Sequence, residues 1–280
     1  MNTTKTHIFF FLAIIALFVS SCSTTRDNFF SRTYHQTTTK YNGYFNANES
    51  VKRGLQKIKE GHKDNYQQII SLDKINRLDL PGQVFPNMDR AIEKTTKMIT
   101  RHSMEINNKE KNKWIDDNYY LMAKARFYKK EYLASQNTFK FLIRSFPKRT
   151  LFNNSVIWSA KCDLRLGNIQ AAKKTLNSYI NEKKLTKKET VDFYLALTEI
   201  SINEKNYQKA IKSVKKAIAQ SKKNKDRARY YFVLAQLNEK LKQGDKAILN
   251  YNNVIKSNPE YEMSFRAALN KAKSYTYSSG

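Results

Sequence analysis

From about residue 116 the chain repeats itself at a period of about 37 residues, and a helical repeat of that length restricts the fold more than any other feature. The first unit runs from Asp116 to Pro147, with Tyr119, Met122 and Ala123 in a first helix, Tyr132 at the turn, and Ser135 and Phe139 in a second helix. Ala160, Gly167, Ala172 and Leu176 mark the second unit, and Tyr194, Leu197, Tyr207, Ala210, Val214 and Ala217 the third. The fourth carries Tyr231, Leu234, Ala235, Ala247, Tyr251, Val254 and Pro259. Large and small residues recur in one order. A small residue at Ser135, Ala172, Ala210 or Ala247 lets two helices approach closely, and aromatic residues fill the space beside it. One such helix pair cannot bury its own apolar face, so pairs must stack, and about three are needed for a stable core.

This order of residues, with Pro147 and Pro259 closing units, resembles the tetratricopeptide repeat, whose standard period is ~34 residues. The expected fold is all-α, a right-handed tetratricopeptide-repeat α-solenoid. Four repeats are placed over residues 114–260, a helical pre-repeat segment over 33–113, and a partial repeat or cap helix over 261–280. Seven Gly and four Pro in 280 residues agree with a nearly all-helical chain, and no strand is expected. In the pre-repeat segment, helices are predicted around Tyr34 to Gly43, Asn46 to Glu60 and Met88 to Met104, packed onto the first repeat. Asn87, directly after Pro86, is the expected N-cap of the third. Residues from Gly61 to Pro86 read as a long irregular connection that covers neighbouring helices. After Pro259 one further helix (YEMSFRAALNKAKSY) precedes Thr276 to Gly280. Two readings fit that ending: a solvating cap helix, or the front part of a longer protein or shortened gene.

At the other end, Lys5 precedes an apolar run from Ile8 to Val19, shorter than the ~20 residues a membrane-spanning helix requires, and the polar segment STTRDN follows. Residues 1–21 therefore read as a secretory signal. Val19, Ser20 and Ser21 directly ahead of Cys22 resemble a bacterial lipobox. That resemblance implies that Cys22 is the first mature residue and the lipid attachment site, with 22–32 as lipidated N-terminus and tether. The alternative is a chance cysteine after a plain signal. The only other cysteine is Cys162, so with Cys22 acylated no intramolecular disulfide can form. Cys162 lies in an apolar helical stretch and reads as a buried small thiol.

A net charge of +27 would, in a cytosolic protein, make nucleic acid the first partner to consider. Export argues against it, and no aromatic RNA-binding motif or recognition-helix pattern accompanies the cations, so no nucleic-acid partner is expected. The cations are densest from Lys183 to Arg229 and read as solvated faces. The other reading is a basic surface for anionic lipid headgroups, lipopolysaccharide or an acidic partner. No phosphate-cradling glycine loop, HExxH helix, CxxC pair or nucleophile elbow is present, and His35, His62 and His102 are far apart in sequence. No catalytic residue, metal ligand set or cofactor is expected; a scattered site assembled by folding is the alternative. The concave face of a solenoid is lined by first helices and binds peptide or protein segments. On this sequence it selects Tyr120, Lys124, Phe127 and Tyr128 from the first repeat, and Ile157, Lys161, Leu164 and Arg165 from the second. Aromatic surface mixed with positive charge suits a partner with apolar anchors and carboxylates, unless these residues pack against the preceding segment.

Four blocks carry a family resemblance: Lys40 to Ala47 (KYNGYFNA), Asp64-Asn65-Tyr66, the helix ending in Arg101-His102-Ser103-Met104, and Trp114 to Phe127 (WIDDNYYLMAKARF). Together they resemble the SprE/PorW family of gliding-motility and type IX secretion lipoproteins of Bacteroidetes. The family proteins are longer, and Ser71-Leu72 stands where the family has Leu-Pro. The resemblance implies an outer-membrane lipoprotein facing the periplasm, a scaffold whose partners are components of the secretion and motility machinery, including its ring and motor. No acidic run of the kind expected for surface export follows Cys22, in keeping with the periplasmic side. One alternative is a BamD-like lipoprotein of outer-membrane β-barrel assembly, whose repeats begin soon after its cysteine, whereas here about ninety residues intervene. A truncated inactive copy and a periplasmic enzyme with an unrecognised site are the others.

Overall fold

A computed structural model describes residues 23–73, 82–222 and 224–277, so the signal and Cys22 lie outside the described residues. The chain folds as two compact units, one comprising residues up to Gly54 together with Phe85–Leu151, the other Leu55–Val84 together with Phe152–Gly280. The first unit holds α1 (Phe29–Thr37), a π-helical stretch (Thr38–Tyr44), most of α2 (Phe45–Glu60), α3 (Phe85–His102), β1 (Glu105–Ile106), β2 (Lys109–Glu110), α4 (Ile115–Tyr128) and α5 (Tyr132–Ser145). The second holds α6 (Phe152–Arg165), α7 (Ile169–Tyr179), α8 (Lys187–Asn203), α9 (Tyr207–Gln220), α10 (Asn224–Lys240), α11 (Gly244–Lys256) and α12 (Tyr261–Ser274). Among the described residues no helix is long and apolar enough to cross a membrane.

The architecture is all-α and built of tetratricopeptide-type hairpins in which two successive helices pack together, α4 with α5 in the first unit, and α6 with α7, α8 with α9 and α10 with α11 in the second. Ser135, Ala172, Ala210 and Ala247 are all fully buried, at the close approaches that the repeat pattern requires. The Ser135 hydroxyl donates to the Ala123 carbonyl across the hairpin at 2.7 Å, so its polar atom is satisfied in the core. The turns are equally regular. Lys130, Gly167, Lys205 and Lys242 have φ of +67, +79, +56 and +55°. The next amide in each turn reaches back five residues, Glu131 to Arg126 at 3.0 Å, Asn168 to Asp163 at 2.8 Å, Asn206 to Ser201 at 2.8 Å and Gln243 to Asn238 at 2.9 Å. This is the Schellman closure, which satisfies the last carbonyls of the first helix and favours glycine at the left-handed residue. A lysine there is strained by about 1 kcal/mol. Lys205→Gly is therefore expected to stabilise the second unit by about 0.5–1 kcal/mol, read as a raised urea midpoint, and Gly167→Ala to lower it by a similar amount.

The first unit departs from the expected helix boundaries. Rather than two helices broken near Gly43, the chain runs continuously from Phe29 to Glu60, with the π-helical stretch in the middle. The Phe45 amide bonds to the Lys40 carbonyl, the five-residue step of a π turn. Gly43 shows why the KYNGYFNA block carries a glycine. A methyl group there would fall on Cγ and Sδ of Met98 in α3, too far from the end of that side chain to be moved aside easily. Gly43→Ala is accordingly expected to destabilise the first unit by about 1–3 kcal/mol, measurable as a lowered thermal midpoint. Asn87 is not an N-cap: α3 begins at Phe85 with Pro86 in its first turn, where a missing amide costs nothing. The Asn87 carbonyl instead accepts from the Ser50 hydroxyl at 2.9 Å.

The expectation of no strand also needs correction. Glu105–Ile106 and Lys109–Glu110 pair antiparallel across Asn107 and Asn108, whose φ values of +53 and +56° suit a two-residue turn of type I′. The Glu110 carboxylate fastens this hairpin, accepting from the Met104 amide at 2.9 Å, the Asn112 amide at 2.8 Å and the Ser103 hydroxyl at 2.5 Å. From there α3 packs against α4, as expected of a pre-repeat helix on the first repeat.

Candidate protein-binding site

The connection after α2 does more than cover neighbouring helices. Residues His62 to Asp73 lie as a strap across α10, the first helix of the fourth repeat, extended from His62 to Asn65 and turning at Tyr66-Gln67. His62, Asp64 and Tyr66 turn inward, while Gly61, Lys63, Asn65 and Gln67 turn to solvent. That alternation is the period-two pattern of extended backbone. Arg229, Phe232 and Gln236, spaced three and four residues apart on one face of α10, each hold part of the strap.

Gln236 reads the backbone. Its carboxamide oxygen accepts from the Ile70 amide at 2.9 Å, and its nitrogen donates to the Gln68 carbonyl at 2.6 Å and the Tyr66 carbonyl at 3.4 Å. One amide side chain thus pairs a segment of main chain as a neighbouring strand would. Arg229 forms the second clamp. Its two terminal nitrogens reach the Asp64 carboxylate at 3.0 and 2.5 Å, and one also donates to the Ser71 carbonyl at 2.6 Å. Both charged side chains are only 6% exposed, and His62 Nε2 sits 2.7 Å from the same carboxylate. Burial by itself would raise the Asp64 carboxyl, but the hydrogen bonds from His62 and Arg229 outweigh it and hold its pKa at about 2.

Between the two polar clamps the Tyr66 ring meets Phe232 edge to face, with centroids 5.1 Å apart, and the Arg266 guanidinium lies 5.8 Å from the Tyr66 ring. Phe232 in turn packs edge-on against Tyr251 of α11 at 5.2 Å. The strap is therefore joined to the repeat core through a continuous aromatic contact. Burial, followed by the Asp64 charge, pushes the Tyr66 hydroxyl up to about 12.

Two clefts flank the strap, and their charges differ. One of about 730 Å³ is bordered by the strap itself and by Lys240, Arg266 and Lys273, with Glu239 as counter-charge. The other, about 360 Å³, gathers Asp73, Asp192, Glu199, Asp226 and Glu260 beside Lys59, Lys161 and Arg229. The Tyr230 hydroxyl registers the negative field there: it is raised by burial first and then by Asp226, Asp73 and Asp192.

Of the residues expected on a partner-binding face, Phe127, Tyr128, Ile157 and Leu164 are buried and belong to the packing between helices. The spacing that marks a first helix does not separate its outward from its inward positions when both carry large apolar residues. Tyr120 is half-buried with its ring edge-on to Phe139, and the Lys124 ammonium lies 5.7 Å from the Tyr120 ring. Lys161 stacks on Trp158 at 4.7 Å and borders the acidic cleft, whereas Arg165 pairs with Glu199 at 2.5 Å. The surroundings of Lys161 are thus richer in carboxylates than in cations, the reverse of the charge expected there.

Three residues that hold the strap went unassigned in the sequence. Arg229 closes the dense cation run and was read with it as a solvated face, yet it is buried. Gln236 is a polar residue inside the apolar run from Phe232 to Leu237, which is the signal that could have marked it. Asp64 stood out only as part of the Asp64-Asn65-Tyr66 block. The histidines divide: His35 and His102 meet in the first unit with their Nδ1 atoms 2.8 Å apart, while His62 belongs to the strap. Burial, then the neighbouring His35 and Arg101, lowers the His102 pKa. Asn112 completes this knot, its amide donating to Thr39 Oγ1 at 2.8 Å and the His102 carbonyl at 2.9 Å. Among the described residues no group of three or more His, Cys, Asp or Glu side chains is placed to hold a metal ion. Cys162 is buried.

No protein-family model matches the sequence, and no curated protein matches it. Among solved structures, the chain is similar to MamA from residue 41 to its end, from Desulfovibrio magneticus RS-1, at 13% identity and a TM-score of 0.46, over 61% of this chain and 85% of that one. It is similar also to the APC/C hetero-tetramer Cut9-Hcn1, at 16% identity and a TM-score of 0.48, over 90% of this chain and 44% of that one. A third similarity is to the TPR2AB-domain:pHSP90 complex of yeast Sti1, at 19% identity and a TM-score of 0.27, over 67% of this chain and 76% of that one.

Proposed function

We propose that this chain is a protein-binding scaffold, lipid-anchored through Cys22 in the outer membrane and facing the periplasm, that serves type IX secretion and gliding motility. The observation that carries the binding role is the strap. The face of α10 holds an extended polypeptide by its main chain through Gln236, by a carboxylate through Arg229 and by an aromatic ring through Phe232. A repeat face that holds one extended segment in this way has the chemistry to hold another, with an acidic and an aromatic side chain two residues apart. The location and the machinery are supported by the lipobox ahead of Cys22 and by the KYNGYFNA, Asp64-Asn65-Tyr66 and Trp114 to Phe127 blocks.

A crosslinked pull-down from outer membranes, using the acylated protein with Cys22→Ala as control, tests both parts. Recovery of the ring or motor proteins of type IX secretion, lost in the control, is the expected result. Recovery of barrel-assembly proteins in their place would overturn the secretion reading and promote the BamD-like one. Recovery of neither, with secretion intact after gene deletion, would fit a truncated inactive copy.

A further inference from the structure

The start of the first unit exposes large aromatic side chains in a row. Phe30, Tyr34, Tyr41 and Phe45 are 72, 46, 57 and 56% exposed, with Phe29 beside them at 70%. Their spacing of four, seven and four residues places them along one side of a continuous helix. Single exposed apolar residues need no explanation, but five between Phe29 and Phe45 on one helix do.

The chain just ahead of that helix is folded onto it. The Ser31 hydroxyl donates to the Ser23 carbonyl at 2.6 Å, and the Asn28 side chain caps α1 by accepting from the Ser31 amide at 2.8 Å. Ser23 is thus fastened to the first turn of α1. In the sequence Cys22 directly precedes Ser23. On the lipid-anchor reading, the acylated residue is thus the immediate sequence neighbour of a segment held at the start of α1. The charge agrees with a lipid surface: Arg26, Arg32, Lys40, Lys52 and Arg53 stand against only Asp27 and Glu49 between residues 23 and 54. The Lys40 ammonium lies over the Tyr41 ring at 4.7 Å, joining cation and aromatic at one point of the face. Aromatic rings at headgroup level and cations facing anionic lipid are the two components of interfacial binding.

We infer that this aromatic and basic face of α1, the π-helical stretch and the start of α2 lies in the headgroup layer of the membrane that holds the Cys22 anchor. The first unit is then seated on the lipid surface by its own side chains. This inference rests on the lipid-anchor reading, and its test separates the two. Acylated protein is reconstituted into vesicles of phosphatidylethanolamine and phosphatidylglycerol. Phe30→Cys and, as control, Gln170→Cys each carry an environment-sensitive dye, the native Cys162 being buried. Spin-labelled lipid should quench the dye at position 30 about ten-fold more than at 170. The non-acylated Cys22→Ser chain should float with the same vesicles, and Phe30→Ser/Tyr41→Ser/Phe45→Ser should reduce that retention about ten-fold. Equal, aqueous signals at both positions while mass spectrometry finds Cys22 acylated would overturn the inference and leave the anchor standing. An unmodified Cys22 would remove the anchor reading and the inference together. An aqueous signal in vesicles with protein crosslinks from position 30 in native membranes would assign the face to a protein instead.

Discussion

Arg229→Met is expected to destabilise the second unit by about 3–5 kcal/mol, because it leaves the Asp64 carboxylate buried against His62 alone and strips the Ser71 carbonyl of its donor. The loss should appear as a lowered urea midpoint and as new protease cuts between His62 and Asp73. An unchanged midpoint would mean that the strap is not coupled to the repeat core. The same ion pair predicts behaviour in acid. The Asp64 pKa is held at about 2, below its ordinary value of about 4. A carboxylate lowered on folding contributes its full stabilisation above the unfolded value and loses it as pH falls through the folded one. The strap should thus hold at pH 5 and release between about 4 and 2, and Asp64→Asn should abolish that acid limb.

The aromatic contact beneath the strap gives the second large effect. Phe232 is fully buried between Tyr66 and Tyr251, so Phe232→Ala should cost about 3–5 kcal/mol through the cavity left among rings that cannot close over it. Calorimetry of the variant, compared with Tyr66→Ala, distinguishes two routes. If the Tyr66 change costs much less, the cavity in the core dominates; if the two are equal, strap and core lose stability as one. A cost below about 1 kcal/mol for Phe232→Ala would contradict the packing described for it.

The repeats were legible because their geometry is written in side-chain size: Ser135, Ala172, Ala210 and Ala247 are where the helices meet, and their spacing is visible without a structure. Less visible was the turn chemistry. Only Gly167 advertises a left-handed residue, since Lys130, Lys205 and Lys242 adopt the same conformation against their own preference. The short hairpin at Asn107-Asn108 carried a proper turn signal, but strands of two residues offer no alternation to detect. The π-helical stretch had no local signal either, and Gly43 within it lies against Met98, more than fifty residues away. For the candidate site the limit was of another kind. Asp64, Arg229 and Gln236 are ordinary polar residues in sequence, and they acquire a role only when a segment more than 150 residues distant is laid across them. On the expected binding face Phe127, Tyr128, Ile157 and Leu164 are buried, because aromatic and aliphatic side chains on a first helix serve the core before they serve a surface.

The hold on the strap is made mostly with atoms that every residue possesses. Ile70 contributes its amide, and Tyr66, Gln68 and Ser71 their carbonyls, so mutation at Lys63, Asn65, Gln67 or Gln68 changes nothing that α10 touches through those bonds. Asp64, Tyr66 and His62 are held as particular side chains, and Ile70 is buried in the core. Drift in this segment should therefore be uneven, with His62, Asp64, Tyr66 and Ile70 fixed and the exposed Lys63, Asn65, Gln67 and Gln68 free to change, so that a region resembling a neglected loop keeps a sparse imprint of the helix beneath it.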